Sequence, residues 1–206
     1  MKHFGDIMFT DTVKAEQARR GSREAYEKMT ASTPPKALTA REVDFIGHRD
    51  SFYMATVTET GWPYVQHRGG PKGFLKALAP TQLGFADYRG NRQYVSVGNL
   101  QTDQRTALFL MDYPNRRRLK LLARATVMAA EDDPALAARL ASDGEGRVER
   151  LFRLDIEAFD WNCPQFITPR FDEGAAMDRL ETLEAENAAL RSEIAAMRRQ
   201  SSSHDR

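Results

Sequence analysis

The sequence predicts a mainly β fold with peripheral helices, and three observations support that prediction. Runs rich in Val, Phe, Tyr, Thr and Leu recur between residues 52 and 157, with partial alternation of apolar and polar side chains. Gly61, the pair Gly69 and Gly70, and Gly90 separate the early runs, as hairpin turns require. Helical patterns are short or terminal, which favours a barrel or a sandwich over a doubly wound sheet.

Helical segments precede the predicted sheet. Residues 11–30 have a polar helical pattern that a pair of prolines ends. Thr39 is predicted to cap the start of a short helix, because Glu42 lies three residues after it in the pattern of a capping box. This helix is predicted to end near Gly47. We therefore treat residues 1–36 as an N-terminal helical extension.

Seven strands follow in the prediction. Their ranges are 52–59, 63–68, 73–78, 82–86, 105–112, 118–130 and 147–157. A short helix is predicted within 91–100 and another over 134–141, where Pro134 suits the first helical turn and Ala and Leu follow it. Together these elements define residues 37–171 as one domain.

The C-terminal segment 172–200 has the repeat of a coiled coil. Residues at intervals of three and four form one seam: Leu180, Leu183, Asn187, Leu190, Ile194 and Met197. In heptad nomenclature Leu180, Asn187 and Ile194 occupy position a, and the others occupy position d. An amphipathic helix packed on its own domain is the alternative interpretation. A single asparagine at position a favours a parallel, two-stranded coiled coil.

Charges beside this seam match across a parallel pair of helices. A residue at position g faces the residue at position e five places on in the partner helix. The facing pairs are Arg179 with Glu184, Glu186 with Arg191, and Glu193 with Arg198. All three pairs are opposite in charge, so we predict a C2 homodimer. Fewer than three heptads would hardly hold alone, so this helix is expected to clamp an existing dimer. Residues 201–206 are predicted to be a disordered tail.

Composition limits the classes of partner. The chain has 206 residues, with 30 Lys and Arg against 29 Asp and Glu, which gives a net charge of +1. This charge is too small to produce an electrostatic potential that attracts nucleic acid or an acidic membrane. No run approaches the roughly 20 apolar residues that a membrane span needs. The single cysteine, Cys163, suits a reducing compartment. We expect a cytoplasmic protein, and the four widely separated histidines predict no metal site.

Residues 66–74, with the sequence QHRGGPKGF, are the clearest candidate binding segment. Arg68 offers a planar fork for phosphate, and glycine lets a ligand approach the backbone closely. An anion and a flat ring fit such a segment. A tight hairpin with solvated charges is the alternative, and an RNA-binding RGG box is disfavoured because the motif occurs once, between strands.

Residues 53–124 resemble the flavin-nucleotide-binding branch of the pyridoxamine-phosphate oxidase-like proteins. The matching segments are 55–74, 84–94, 96–100, 107–114 and 119–121, with 161–170 nearer the C-terminus. The resemblance implies an FMN-binding split β-barrel, to which the heptad repeat adds the predicted C-terminal coiled-coil helix. It also implies a homodimer that binds FMN in two clefts at the subunit interface.

The resemblance further implies a set of cofactor-binding residues. Arg68 and the run Asn91, Arg92 and Gln93 match the positions that hold the FMN phosphate, while Trp161 and Arg170 match residues that reach the flavin. The full candidate set is His67, Arg68, Gly69, Gly70, Lys72, Asn91, Arg92, Gln93, Asn99, Trp161, Gln165 and Arg170. Hydride chemistry would belong to the cofactor, so no catalytic residue is predicted.

One departure from the family pattern narrows the expected activity. Enzymes that oxidise pyridoxamine phosphate carry an Arg and a His close to the C-terminal Arg, but residues 165–169 contain neither. The leading hypothesis is an FMN-dependent oxidoreductase acting on an unknown small molecule. The alternatives are a non-catalytic flavin-binding or sensing protein, and a binder of F420 in the same cleft. Cys163 is expected to be buried beside Trp161, with a place near the flavin as the alternative.

Overall fold

The computed structural model describes residues 1–142, 146–161 and 164–204. Within these ranges, the side chains of residues 175, 196 and 198–204 lie outside the description. Cys163 therefore falls outside the described residues, and so does the side chain of Arg198 in the third predicted charge pair.

Four helices precede the sheet. They are α1 (Phe4–Met8), α2 (Asp11–Arg19), α3 (Arg23–Thr30) and α4 (Ala40–Gly47). The single helix predicted over 11–30 is thus wrong, because Gly21 adopts a left-handed φ of 76° and separates α2 from α3. The start of α4 matches the prediction, since the Glu42 carboxylate accepts hydrogen bonds from the backbone N–H and the hydroxyl of Thr39.

Seven strands make up the body of the molecule. They are β1 (Ser51–Val57), β2 (Pro63–Gly69), β3 (Lys76–Ala79), β4 (Gln82–Tyr88), β5 (Arg105–Asp112), β6 (Arg117–Ala129) and β7 (Val148–Trp161). Between them lie α5 (Val95–Thr102), a 3₁₀ helix (Ala130–Asp132) and α6 (Pro134–Leu140). The sequence predicts that the third strand starts at residue 73, but β3 starts at Lys76. The difference arises because the chain turns at Gly73, whose φ is 82°.

The strands form one antiparallel sheet in the order β2-β1-β5-β6-β7-β4-β3. Alternate residues of each central strand are buried, as in β5, where Thr106, Leu108, Leu110 and Asp112 face inwards. The sheet curls around this core, since the rings of Phe52 on β1 and Phe85 on β4 lie 5.4 Å apart although three strands separate them in the sheet order.

The sheet does not close into a barrel. Strands β2 and β4 lie near opposite ends of the hydrogen-bonded order, and a side-chain ion pair rather than a ladder joins them. The prediction of a mainly β fold with peripheral helices, arranged as a split barrel, is confirmed.

The chain divides into two compact units. The first comprises 1–112 and 116–166, and the second comprises 113–115 and 167–206. The second unit contains the long helix α7 (Glu173–His204), which continues past residue 200, the predicted end of the coiled-coil segment. In the described part of the chain, no helix combines the length and hydropathy needed to cross a membrane.

Candidate functional site

An ion pair occupies the gap between β2 and β4. Arg68 lies on the inward face of β2, and its Nη1 donates to Asp87 Oδ1 at 2.7 Å. Asp87 is paired in register with Arg150 on β7, and Arg150 Nε donates to Asp87 Oδ2 at 2.9 Å. The Asp87 carboxylate therefore pairs with two arginines, and each of its two oxygens accepts a hydrogen bond from one of them.

Arg68 is held inside the curled sheet. Its guanidinium lies 4.9 Å from the ring centre of Phe152 and 5.5 Å from that of Phe85. Burial lowers the pKa of Arg68, while the charge and hydrogen bond of Asp87 act in the opposite direction. Arg68 Nε is buried and donates to no partner in the described part of the chain, so this arginine keeps unused hydrogen-bonding capacity.

The loop between β4 and α5 borders the same gap. Arg92 and Tyr94 both have left-handed backbones, with φ values of 61° and 56°. Non-glycine residues rarely adopt this region, and such strain is concentrated at functional sites. Arg92 Nε donates to the Tyr94 hydroxyl at 3.3 Å, which lowers the pKa of Tyr94. The Tyr94 ring also lies 4.7 Å from the guanidinium of Arg150.

Helix α5 begins at this loop, and its amino end faces the gap. Tyr94 is the N-cap residue but provides no side-chain capping hydrogen bond. The N–H groups at the start of a helix carry partial positive charge and bind anions. The helix is fixed by two contacts, from Ser96 Oγ to Gln66 Oε1 at 2.7 Å and from the buried Asn99 Nδ2 to Thr56 Oγ1 at 2.9 Å.

These elements enclose a cavity of about 350 Å³, within the usual size of small-molecule sites. We call it the arginine pocket. Its main lining side chains are Tyr64, His67, Arg68, Asp87, Arg89, Arg92, Tyr94, Ser96 and Arg150. Four arginines against one aspartate give the pocket an excess of positive charge, so it suits a dianionic phosphate. The tyrosines and His67 offer surfaces for a flat ring.

Six predicted site residues line the arginine pocket. They are His67, Arg68, Gly69, Asn91, Arg92 and Gln93. The lining does not include Gly70, Lys72 or Asn99, although Asn99 supports α5 from beneath. The N–H of Gly70 donates to the carbonyl of Asp50 at 2.9 Å, and a Cβ on Gly70 would come within 2.8 Å of the Phe74 ring. Packing therefore explains this glycine without a ligand, and Lys72 is exposed.

Trp161 belongs to a different group of side chains. Its Nε1 donates to Glu42 Oε1 at 2.8 Å, and its ring contacts Phe45 edge-on at 4.8 Å. The guanidinium groups of Arg41 and Arg117 lie 4.3 and 5.1 Å from the indole. We call these five residues the Trp161 cluster. They attach α4 to the end of β7, and the flavin contact predicted for Trp161 stays a prediction.

The remaining predicted residues lie towards the C-terminus. Gln165 is exposed and does not line the arginine pocket. Arg170 belongs to the second unit, where its guanidinium lies 5.0 Å from the ring centre of Tyr113. The flavin contacts predicted for both residues stay predictions.

Sequence reasoning missed Asp87, Tyr94 and Arg150 as parts of the site. Asp87 and Tyr94 lie within the segment 84–94 that carried the family resemblance, so the segment was found but its contacts were not. Arg150 lies far along the chain from Asp87, and only the register of β4 with β7 places the two residues opposite each other. The sequence pattern of one strand alone does not specify its register with a neighbouring strand.

Comparison with known proteins gives one family match. The family model described as pyridoxamine 5′-phosphate oxidase matches residues 38–159, which is more than half of the chain. No curated protein sequence matches the chain.

Several solved structures are similar to this chain. HupZ of Group A Streptococcus is 12% identical with a TM-score of 0.48, over 65% of this chain and 99% of that one. A candidate pyridoxamine 5′-phosphate oxidase from Lactobacillus delbrueckii is 23% identical with a TM-score of 0.47, over 61% and 95%. An FMN-binding protein from Syntrophomonas wolfei is 13% identical with a TM-score of 0.45, over 74% and 96%.

Proposed function

The chain belongs to the pyridoxamine 5′-phosphate oxidase family, and from that premise we propose that it binds FMN in the arginine pocket and acts as an oxidoreductase on a small molecule. The observation that carries the proposal is the concentration of positive charge at the gap between β2 and β4. Four arginines and the amino end of α5 meet there around one aspartate.

The residues of the pocket fit the two parts of FMN. The phosphate carries nearly two negative charges and is best held by charge-assisted hydrogen bonds from arginine and by backbone N–H groups at a helix start. Arg92 and the first turn of α5 supply these donors, and Arg68 Nε is buried with no partner in the described part of the chain. Aromatic side chains of the pocket, such as Tyr64 and Tyr94, offer faces for the ring system.

Bound FMN supplies hydride and electron transfer, so the protein must bind and orient the ring and tune its electronics. We assign no catalytic side chain. The missing Arg and His within 165–169 argue for a substrate other than pyridoxamine phosphate. As part of the same proposal, the cofactor lies at the interface of a homodimer, as the family resemblance implies, and the single cysteine favours a cytoplasmic location.

The first experiment is to purify the protein, record its visible spectrum, and identify any released chromophore by mass. We expect the two absorption bands of an oxidised flavin and the mass of FMN. Release of F420 would keep the pocket and change the cofactor. A colourless protein that also fails to bind added FMN would contradict the proposal.

Turnover is tested separately. Reduced nicotinamides are mixed with the flavin-loaded protein in a stopped-flow instrument, and bleaching of the flavin is followed. Bleaching at a rate that supports turnover is expected from an oxidoreductase. A flavin that no donor reduces would make the protein a non-catalytic flavin binder, while the binding part of the proposal would stand.

A further inference from the structure

Helix α7 (Glu173–His204) exposes an apolar seam. Leu180, Leu183, Leu190 and Ile194 recur at heptad spacing along one side of the helix, and they are 48, 38, 57 and 45% exposed. A regular row of large aliphatic side chains on one face of a long helix is the pattern that packs against a second helix. The spacing of three and four residues fits knobs-into-holes packing.

We propose that α7 associates with α7 of a second copy of this chain in a parallel, in-register, two-stranded coiled coil. Asn187 supports this orientation. In a parallel pair, residues at position a face each other, so the two Asn187 amides form a hydrogen bond within the seam. In an antiparallel pair, position a faces position d, and each Asn187 amide would be buried against an apolar side chain without a partner.

The flanking charges select the same orientation. In the parallel pair, Arg179 faces Glu184 and Glu186 faces Arg191 of the second copy, and symmetry forms each contact twice. If the two seams overlapped fully in the antiparallel sense, Glu184 would face Arg191 of the second copy, but Glu186 would face Glu193, which places like charges together. The parallel pair has no such repulsive contact among these residues. Charge and the position of the asparagine therefore agree on parallel strands.

The length of the seam also indicates its role. From Leu180 to Ile194 the seam covers about two heptads, which is marginal for an isolated coiled coil. The helix is therefore suited to reinforcing an association between copies that other surfaces share. This inference concerns a protein partner, and it holds whichever ligand the arginine pocket binds.

Cysteine cross-linking of the full-length protein tests the orientation and register. In a Cys163→Ser background, Asn187→Cys places two thiols face to face at position a, close enough for a disulfide. Ser192→Cys is the matched control, because residue 192 is at position f and faces away from the partner. We expect mild oxidation to convert most of the Asn187→Cys protein, and little of the control, into a covalent dimer. Absence of this difference would overturn the proposal.

Charge reversal provides a second test. Adding Glu186→Arg to the Asn187→Cys protein places an arginine opposite Arg191 of the second copy, and we expect cross-linking to slow roughly ten-fold because like charges then face each other. Adding Arg191→Glu as well restores opposite charges and should restore the rate. If the double reversal fails to restore the rate, the parallel pairing is wrong.

The same samples separate this proposal from the proposed function. Flavin content is measured by absorbance on every variant before oxidation. Retained flavin without cross-linking at position 187 would overturn only the coiled coil, and cross-linking in a protein that binds no flavin would overturn only the cofactor assignment.

Discussion

The arginine pocket and the Trp161 cluster contain the same kinds of side chain but differ in the hydrogen bonds that these side chains make within the protein. Each combines arginines, aromatic rings and one carboxylate. In the Trp161 cluster, Glu42 accepts from the N–H and hydroxyl of Thr39 and from the Trp161 indole. In the pocket, Asp87 accepts from two arginines, yet Arg68 Nε lacks a partner in the described part of the chain.

This difference separates a structural contact from a candidate binding site. A group whose donors and acceptors are satisfied internally contributes stability and has little left for a ligand. A group with excess charge and unused donors gains most from an added anion. Arginines of the pocket that face a ligand should therefore respond to substitution in ligand affinity. Asp87, which holds two of those arginines, and the Trp161 cluster should respond in stability.

Asp87→Ala has the largest expected effect. It leaves Arg68 and Arg150 next to each other without the carboxylate, and loss of one partner of a buried ion pair lowers the free energy of unfolding by about 3 kcal/mol. Urea denaturation measures the change. Glu24→Ala, which breaks an exposed pair with Lys28, should leave stability nearly unchanged. Equal effects in the two variants would contradict the structural role of Asp87.

Arg92→Ala should weaken FMN binding roughly a hundred-fold, because a charge-assisted contact to the phosphate is lost. Titration of the flavin-free protein by fluorescence measures this, and sedimentation checks that the oligomeric state equals that of the wild-type protein. Arg41→Ala is the matched control, since Arg41 also lies against an aromatic ring but in the Trp161 cluster. Unchanged flavin binding in Arg92→Ala would refute the phosphate assignment.

Trp161→Phe should show the opposite result. It keeps an aromatic ring but removes the hydrogen bond to Glu42, so the free energy of unfolding should fall by about 2 kcal/mol. Flavin affinity should stay at the wild-type value in the same titration. A loss of flavin affinity with unchanged stability would instead support the direct flavin contact that the family resemblance implies.

The smallest expected effect is a pH dependence in the Trp161 cluster. Burial raises the pKa of Glu42, but hydrogen bonds from Thr39 and Trp161 outweigh it, so the pKa lies below its ordinary value of 4.5. This stabilisation is present above pH 4.5 and is lost as the pH falls through the lower pKa of the folded state.

Glu42→Gln tests this pH dependence. Urea unfolding should find this variant about 1 kcal/mol less stable than wild type at neutral pH. The difference should shrink as the solution is acidified below pH 4.5. A difference that stays constant with pH would show that the carboxylate charge plays no part.

The order and type of the β elements could be predicted because the alternation of apolar and polar residues within each strand shows which of its faces is buried. Alternation along 105–112 and 118–130 follows directly from one face packing inwards. The split of the predicted helix over 11–30 was missed because a glycine inside a helical pattern does not by itself show that the chain adopts a left-handed φ there.

The site was predictable only in part. Arg68 could be found because it lies in a short segment of unusual composition, whereas Arg92 was found only through the family resemblance. The partners of Arg68 could not, because they depend on how far the sheet curls and on the register of β7, and both are set by packing across the whole domain. The order and spacing of Trp161 along the chain match a flavin contact, which stays a prediction, and no sequence signal indicated that its indole N–H donates to Glu42.

The pair of Arg68 and Asp87 also bears on how this protein could be made more heat-resistant. Well-packed apolar residues often stabilise a fold more than a buried ion pair of similar volume. Selection for thermal stability alone would therefore favour replacing both residues with aliphatic ones and closing the gap between β2 and β4. Such a variant would lose the charged opening, so thermostability and ligand binding are expected to conflict at this position.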